Sequence, residues 1–417
     1  MRVNVISNRS IYIGMALEPD QEVIPAGLLK LARRGSVESA EFAYGRYYLE
    51  LPIAIALNPD HLPLKGETMS IPERRIRDGG ALPLTFRDAL PDSWGRRVLE
   101  AQHGRKLDDI DTLLMTNADR IGAMVFSEAI PIQTIPAKEN IASLEELSEA
   151  VHRLELSQEI TAEMRRLLHR GGTLGGARPK ATFIHENQRW IAKFPAMADD
   201  HDVELLEISI LKLAEKCGIE ASSAILEKIP KGHALLLRRF DREGFVGNER
   251  RIHYLSASAL LDVPYESSGG SYIELAQVLR RISVDPKSDL DQLYRRMVFN
   301  LNIDNNDDHV KNHGVLHAGK GKYRLAPAFD LVMQLTNIGY QELAIKPGNN
   351  LSSIKLAKEA APYFGINENS AEGIIKSIEK IVDGELINIV QQYGGNNQLI
   401  GRMMKCLERQ RNMIYKE

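Results

Sequence analysis

Cysteine is nearly absent: Cys217 and Cys406 are the only two in 417 residues, far apart and in no CxxC or Cys/His spacing. That excludes a disulfide framework and a zinc site, and it leaves two small apolar side chains expected in the core. An excess of charge of one sign is also missing. With 53 Lys and Arg against 56 Asp and Glu the formal charge is −3, so global charge makes no case for a nucleic-acid binder and leaves only a local basic patch open. There is no run of about 18 apolar residues that could span a bilayer. Nor does a basic-then-apolar leader open the chain, so a cytoplasmic protein with no membrane partner is expected. What is present is 43% hydrophobic residues over a length that exceeds what one core usually serves, which points to at least two domains.

Residues 1–128 alternate short β-like runs (VNVIS at 3–7, IYIGMAL at 11–17, YGRYYLELPIAIAL at 44–57) with turns bearing Pro and Gly, the pattern of a small mostly-β module. It closes on FRDALPDSWGRRVLEA, where Pro91 suits a first helical turn and Trp94, Val98 and Leu99 share an apolar face. The expected role of that helix is to anchor the module on a neighbour. The aperiodic stretch AIPIQTIPAKEN at 129–140, with Pro131 and Pro136, reads as a linker. Ser143 with Glu146 three residues on is a capping-box pattern, and Leu144, Leu147, Val151 and Leu154 recur at helical spacing. A helix therefore opens the next domain, with a further one expected over 160–170.

Next comes GGTLGGARPKATFI, a Gly-rich loop carrying Thr173 that runs into a strand with Lys180 near its start. A Walker A loop fails here because Gly176 is followed by Ala177 where Lys is required, and a Rossmann fingerprint fails because strand and helix come in the reverse order. Two readings stay open: a turn whose backbone N–H groups approach phosphate oxygens, and a plain flexible turn. The hairpin continues through RWIAKF, with Lys193 in its second strand. VELLEISILKLAEKCG then sets Leu206, Ile210, Leu213 and Ala214 on one stripe with Glu207 close beside it. A lone strand lysine reads as a solvated face, but a strand lysine followed by a helix glutamate is the pair with which kinases hold the α- and β-phosphates. HALLLRRFDREGFV next offers a strand ending at Arg238, Arg239 and Phe240, where a hinge between lobes fits.

From 253 onward the pattern is largely helical: YLSASALL, then SYIELAQVLRRI, then a long amphipathic helix from 289. That helix has Leu290, Leu293, Tyr294, Met297, Val298 and Leu301 on one core-facing stripe. It delivers FNLNIDNNDDHVKN at 299–312, a dense polar cluster of Asp304, Asn305, Asn306, Asp307, Asp308, His309, Lys311 and Asn312. Asp307 and Asn312 stand five apart, the spacing of catalytic Asp and metal-binding Asn in HRDxxxxN kinases, and APAFDLV brings Asp330 after a hairpin. Phosphoryl transfer needs one carboxylate to take or orient the acceptor's hydroxyl proton, and an amide and a second carboxylate to hold Mg²⁺ on the ATP phosphates. Asp307, Asn312 and Asp330 are a set that can supply them. A calcium loop competes through the EF-hand spacing of Asp304, Asn306 and Asp308, but His309 sits where the glycine belongs and Val315 where the bidentate glutamate belongs.

With LPDSWGRRVL, TLGGARPK, IAKFP, ELLEISILKLAEKCGI, LLLRRFDR, NNDDHVKN and APAFDLV in this order, the chain resembles the HipA family of bacterial Ser/Thr protein kinases almost from end to end. The members of that family are toxins of type II toxin-antitoxin pairs. The resemblance implies an α+β, two-lobed protein-kinase-like (HipA-like) fold. A small mostly-β N-terminal subdomain would cover 1–128, a kinase N-lobe with the Gly-rich loop and ATP lysine 141–245, and a largely helical C-terminal lobe with the catalytic loop 246–417. It implies ATP and Mg²⁺ as cofactors. Position by position, Asp307 resembles the catalytic aspartate and His309 the catalytic-loop histidine. Gly175, Gly176, Ala177, Arg178, Pro179, Lys180, Lys193 and Glu207 fall on the ATP contacts, and Arg238, Arg239 and Phe240 on the adenine-facing hinge. His309, Val310, Lys311, Asn312, Phe329 and Asp330 complete the nucleotide set, with Asn312 and Asp330 as metal ligands.

Two departures stand out from that pattern. Thr173 occupies the place of the family's autophosphorylated serine, and Asp304 replaces a common glycine, which is expected to add negative charge near the metal site. The partners implied are a helix-turn-helix antitoxin of the HipB type, DNA only through that complex, and a protein substrate such as an aminoacyl-tRNA synthetase. Two other classes stay open: a catalytically weak corepressor acting with its antitoxin, and a kinase for a small molecule or lipid headgroup. The intact Asp/Asn/Asp set favours an enzyme over a pure binder.

Overall fold

The computed structural model describes residues 6–18, 22–76, 79–116, 119–132, 142–156 and 178–416. Thr173, Gly175, Gly176, Ala177, the helix expected over 160–170 and the linker stretch 133–140 lie outside the described residues. The chain divides into two compact units, Met1–Trp190 with Asp241–Leu255, and Ile191–Phe240 with Ser256–Glu417. It therefore passes from one unit to the other three times, after Trp190, Phe240 and Leu255, a division that differs from the one at 128, 141 and 245 expected from the sequence. Among the described residues no helix is long and apolar enough to cross a membrane.

The first unit holds an antiparallel sheet in the order β4-β3-β2-β1-β5, built from β1 (Ile6–Met15), β2 (Ile24–Arg34), β3 (Val37–Tyr44), β4 (Met69–Arg75) and β5 (Met124–Ser127). β1 takes in most of the second run of the sequence, IYIGMAL: Ile11, Ile13 and Met15 alternate onto the buried face, as the period of two demands. Gly27 is needed in β2, because a Cβ there would lie 2.5 Å from the Phe42 ring.

The strand expected over 44–57 does not form. A short helix, Arg46–Glu50, takes its place, and the Tyr44 and Tyr48 rings stack at 5.9 Å. The Tyr48 hydroxyl donates to the Ile55 carbonyl at 2.9 Å and the Tyr44 hydroxyl to that of Leu62 at 2.6 Å. Two buried phenols, each requiring a partner, override the β preference of this aromatic run.

The amphipathic segment expected after it is the helix Ser93–His103, with Trp94, Val98 and Leu99 buried. Pro91 falls outside its first turn, because Asp92 is the N-cap and accepts from the Trp94 and Gly95 N–H groups. The Trp94 indole N–H donates to the Lys180 carbonyl at 3.0 Å, within the same unit. Ser143 and Glu146 form their capping box at the start of Leu144–Glu155. The returning segment Asp241–Leu255 belongs here too: the Asp241 carboxylate accepts from the Gly122 N–H at 2.7 Å, and Arg251 donates to the Gly122 carbonyl at 2.7 Å. Gly122 turns at φ +72 with the Tyr254 backbone nitrogen 3.2 Å from where a Cβ would stand, so glycine alone fits without strain.

In the second unit the helix Val203–Lys216 starts on the Asp202 N-cap and is buried almost all round, including Glu204 and Glu207. It packs on the long helix Glu368–Gln392. The helix Pro286–Asn302 begins with Pro286 in its first turn after the Asp285 cap, and its expected stripe from Leu290 to Leu301 is buried. It is held by Tyr272–Ile282, Glu368–Gln392 and Asn397–Ile414. The expected helix over YLSASALL is shorter: Ser256 caps a helix of Ala257–Leu261, and Tyr254–Ser256 is extended. Cys217 and Cys406 are both buried and free, as their scarcity suggested.

Candidate active site

The Pro286–Asn302 helix ends where Ile303 caps it and Asp304 turns left-handed at φ +57. The loop beyond this turn separates its polar groups into buried and exposed ones. Of residues 303–308 only Asp307 is exposed; the others are packed inside. Asp304, expected from the sequence to add negative charge near the metal site, is turned inward onto hydrogen-bond donors. One of its carboxylate oxygens accepts from the Thr336 and Asn337 N–H groups at 2.8 and 2.9 Å and from the Cys406 thiol at 3.4 Å, and the other from Asn306 at 3.3 Å. The reason lies in the backbone: this is a positive-φ position of the kind glycine fills, and an aspartate is tolerated because the bonds of its side chain hold the turn. Asn305 bonds to Asn300 and Asn306 to Thr336, so these amides are structural as well. Asp308 accepts from His313 Nε2 and from the Tyr272 hydroxyl.

Asp307 is the group left facing out. Burial of the surrounding loop raises its pKa above the ordinary aspartate value, and the neighbouring Asp330, Glu342 and Asp308 carboxylates push the same way against the His309 imidazole. The Asn312 amide nitrogen donates to the Asp307 carbonyl at 3.1 Å, which turns its carbonyl oxygen elsewhere. The His309 ring lies 5.5 Å from the Tyr265 ring, and the Lys311 ammonium sits over that same ring at 5.1 Å. Neither Glu342 nor Tyr265 is marked by any sequence motif. Tyr265 sits in a 3₁₀ turn and Glu342 twelve residues beyond Asp330, and only the fold brings them to this loop.

Lys193 and Glu207 meet as their order in the chain suggested. The ammonium lies 2.7 and 2.8 Å from the two Glu207 oxygens, and its third contact, at 2.5 Å, is the Asp330 carboxylate. Burial alone would push the Lys193 pKa down, but the Asp330 and Glu207 carboxylates outweigh it and hold it raised. Asp330 is placed by a left-handed turn at φ +57, after the segment before it is pinned by Ser222 donating to the Ala328 carbonyl at 2.9 Å. The Phe329 ring packs 5.4 Å from Phe240. Arg239 is buried, and Arg238 is exposed with its backbone N–H on the Ser223 carbonyl. Val310 is buried, and its carbonyl accepts from Ser258 N–H at 3.2 Å. In the first unit, Pro179 is buried, Arg178 is half-buried, and the buried Lys180 ammonium lies 3.4 Å from Asp92.

The donor set suits a hard cation that brings phosphate ligands of its own. Among the described residues no cluster of three or more His, Cys, Asp or Glu side chains could hold a metal ion. Asn312 offers an amide oxygen and Asp330 a carboxylate that is 37% exposed, donors of the kind Mg²⁺ takes beside phosphate and water.

A lysine held by two carboxylates, a loop aspartate and an amide five residues on are the groups of a kinase-like site. The chain belongs to the HipA family: the HipA-like C-terminal domain matches residues 172–385 and the HipA N-terminal domain residues 22–127. Its fold is similar to that of the toxin-antitoxin system HipA, HipB and operator DNA complex of Shewanella oneidensis MR-1, with a TM-score of 0.68, 14% identity, and 97% of this chain and 96% of that one covered. The mixed helix-and-sheet, HipA-like architecture is thereby shown. A curated protein of Sinorhizobium fredii (strain NBRC 101917 / NGR234), named "Putative kinase Y4mE", is 30% identical over 162 residues, 37% of this chain and 36% of that protein. This chain thus spans about a third of that relative's length. A Helicobacter pylori proinflammatory kinase, CtkA, aligns at a TM-score of 0.38 and 14% identity over 56% of this chain and 90% of its own.

Proposed function

We propose that this chain is a Ser/Thr protein kinase that transfers the γ-phosphate of ATP to a protein hydroxyl with Mg²⁺, the toxin of a toxin-antitoxin pair. The observation that carries the reading is the Lys193 ammonium shared between Glu207 and Asp330. Glu207, buried and bidentate, fixes the ammonium's position, and Lys193 presents its charge to the nucleotide phosphates. Asp307 takes up the proton of the acceptor hydroxyl, and its raised pKa makes it a better base than an ordinary aspartate. Asn312 and Asp330 would hold Mg²⁺, which when bound supplies charge neutralisation on the phosphates. Val310, Lys311, His309 and Phe329 would line the nucleotide, with Arg238, Arg239 and Phe240 as the hinge; Gly175, Gly176, Ala177, Arg178, Pro179 and Lys180 are proposed as ATP contacts on the resemblance alone.

Cytoplasmic location, a HipB-type helix-turn-helix antitoxin and DNA contact only through it are parts of the same reading. The HipA, HipB and operator DNA complex of the structural neighbour supports the partner. The acceptor is proposed to be a component of translation such as an aminoacyl-tRNA synthetase, and Thr173 an internal acceptor. The test is incubation of the protein with labelled ATP, Mg²⁺ and a host lysate, followed by identification of the labelled protein. Asp307→Asn and Asp330→Asn should each lower transfer by about 10²- to 10⁴-fold while leaving the fold intact. Unchanged transfer in both would sink the kinase reading.

A further inference from the structure

We propose that Asp308 and His313 form a positioning clamp for the reaction proposed above, on which this inference rests. Each directly follows a residue assigned a role: Asp308 follows Asp307, and His313 follows Asn312. His313 Nε2 lies 2.9 and 3.1 Å from the two Asp308 oxygens, so the chain is tied side chain to side chain right beside the pair whose separation phosphoryl transfer must hold. A carboxylate only accepts, so Nε2 carries the proton. Both residues are buried, at 1% and 2% exposure.

The clamp is anchored from outside the loop. The Tyr272 hydroxyl donates to Asp308 from the Tyr272–Ile282 helix and accepts from the Asn300 amide at 3.1 Å. Asn300 accepts in turn from Asn305 at 3.1 Å, so helix and loop share one network. The main chain repeats the pattern, with Leu343 N–H on the Asp308 carbonyl and Ala257 N–H on the His313 carbonyl, each at 2.8 Å.

Apolar side chains of similar volume often stabilise a core as well as a buried charged network does, so the role proposed for this network is directional constraint.

The test compares His313→Leu with His313→Gln, whose amide can restore a donor to Asp308, in the full chain. His313→Leu should lower kcat by about 10- to 100-fold and change the KM for ATP by less than about threefold. His313→Gln should recover most of the kcat. Wild-type kcat in His313→Leu overturns the clamp, and so does a loss that His313→Gln fails to recover. If the wild-type protein transfers no phosphate, the kinase reading fails separately, and hydrogen exchange of the 305–312 amides still decides the clamp. Faster exchange in His313→Leu, reversed in His313→Gln, supports it, and exchange equal to wild type overturns it.

Discussion

Replacing Lys193 with Met removes one charge and little else, since methionine fills most of the same channel. The ammonium it deletes faces both oxygens of Glu207, a side chain only 2% exposed, and the Asp330 carboxylate, which at 37% exposure can turn to water. Removing one partner of a buried ion pair costs about 3–5 kcal/mol, and a domain of 150–250 residues shifts by about 2–4 °C per kcal/mol. The Tm at pH 8 should therefore fall by roughly 6–20 °C. The sign of the pH dependence comes from the same residue. A buried carboxyl deprived of its ammonium partner takes up a proton more readily than an exposed one, which contributes stability present at low pH and lost as pH rises. The deficit should be small near pH 5 and large at pH 8. Adding Glu207→Gln removes the carboxylate charge that Lys193 balanced, so the double variant should regain most of the Tm while still lacking phosphotransfer. Calorimetry at the two pH values measures all of this. A single variant as stable as wild type at pH 8, or a double variant no more stable than the single, would refute the assigned electrostatics.

Asp304→Ala should cost about 1–3 kcal/mol for each backbone N–H it leaves unmet at Thr336 and Asn337; denaturant unfolding checks it, with Asp304→Asn expected in between. Burial pushes the Cys217 and Cys406 thiols up to about 12, with Asp304 adding to the effect on Cys406. At pH 8 only about one thiol in ten thousand is then thiolate, so neither should react with a disulfide reagent until the protein unfolds. On the proposed reading, mass spectrometry after incubation with ATP and Mg²⁺ should find phosphate on Thr173 together with lowered activity, since it adds about −1.5 to −2 charges to a loop proposed to contact ATP phosphates; an unmodified Thr173 in active enzyme would remove that switch and leave the kinase reading standing.

What could be read from the sequence was what local spacing encodes. The stripe from Leu290 to Leu301 is buried as its period requires, and Glu207, one position off its apolar stripe, reaches Lys193. The polar stretch after Asn302 was conspicuous, but its composition alone could not divide it. Asp304, Asn305, Asn306 and Asp308 turn inward because backbone N–H groups, Asn300, Thr336, Tyr272, His313 and the Cys406 thiol wait for them there, the last of these 102 residues away. The tyrosine run at 44–57 misled for a related reason: its hydroxyls answer to carbonyls at 55 and 62, which no period of two reveals. The return of Asp241–Leu255 to the first unit rests on contacts with Gly122 and leaves no local mark either.

Because the chain crosses between its units three times, no single cut frees either one whole. A fragment ending at Trp190 would lack Asp241 and Arg251, and the Gly122 amide and carbonyl would lose the partners that fix that turn. The HipA-like C-terminal match, 172–385, runs through all three crossings. For recombination between relatives, then, the first unit is not a cassette. Swapping it requires two coordinated grafts, one before Trp190 and one spanning Asp241–Leu255, and an exchange at one point alone would join halves whose hydrogen bonds were never matched.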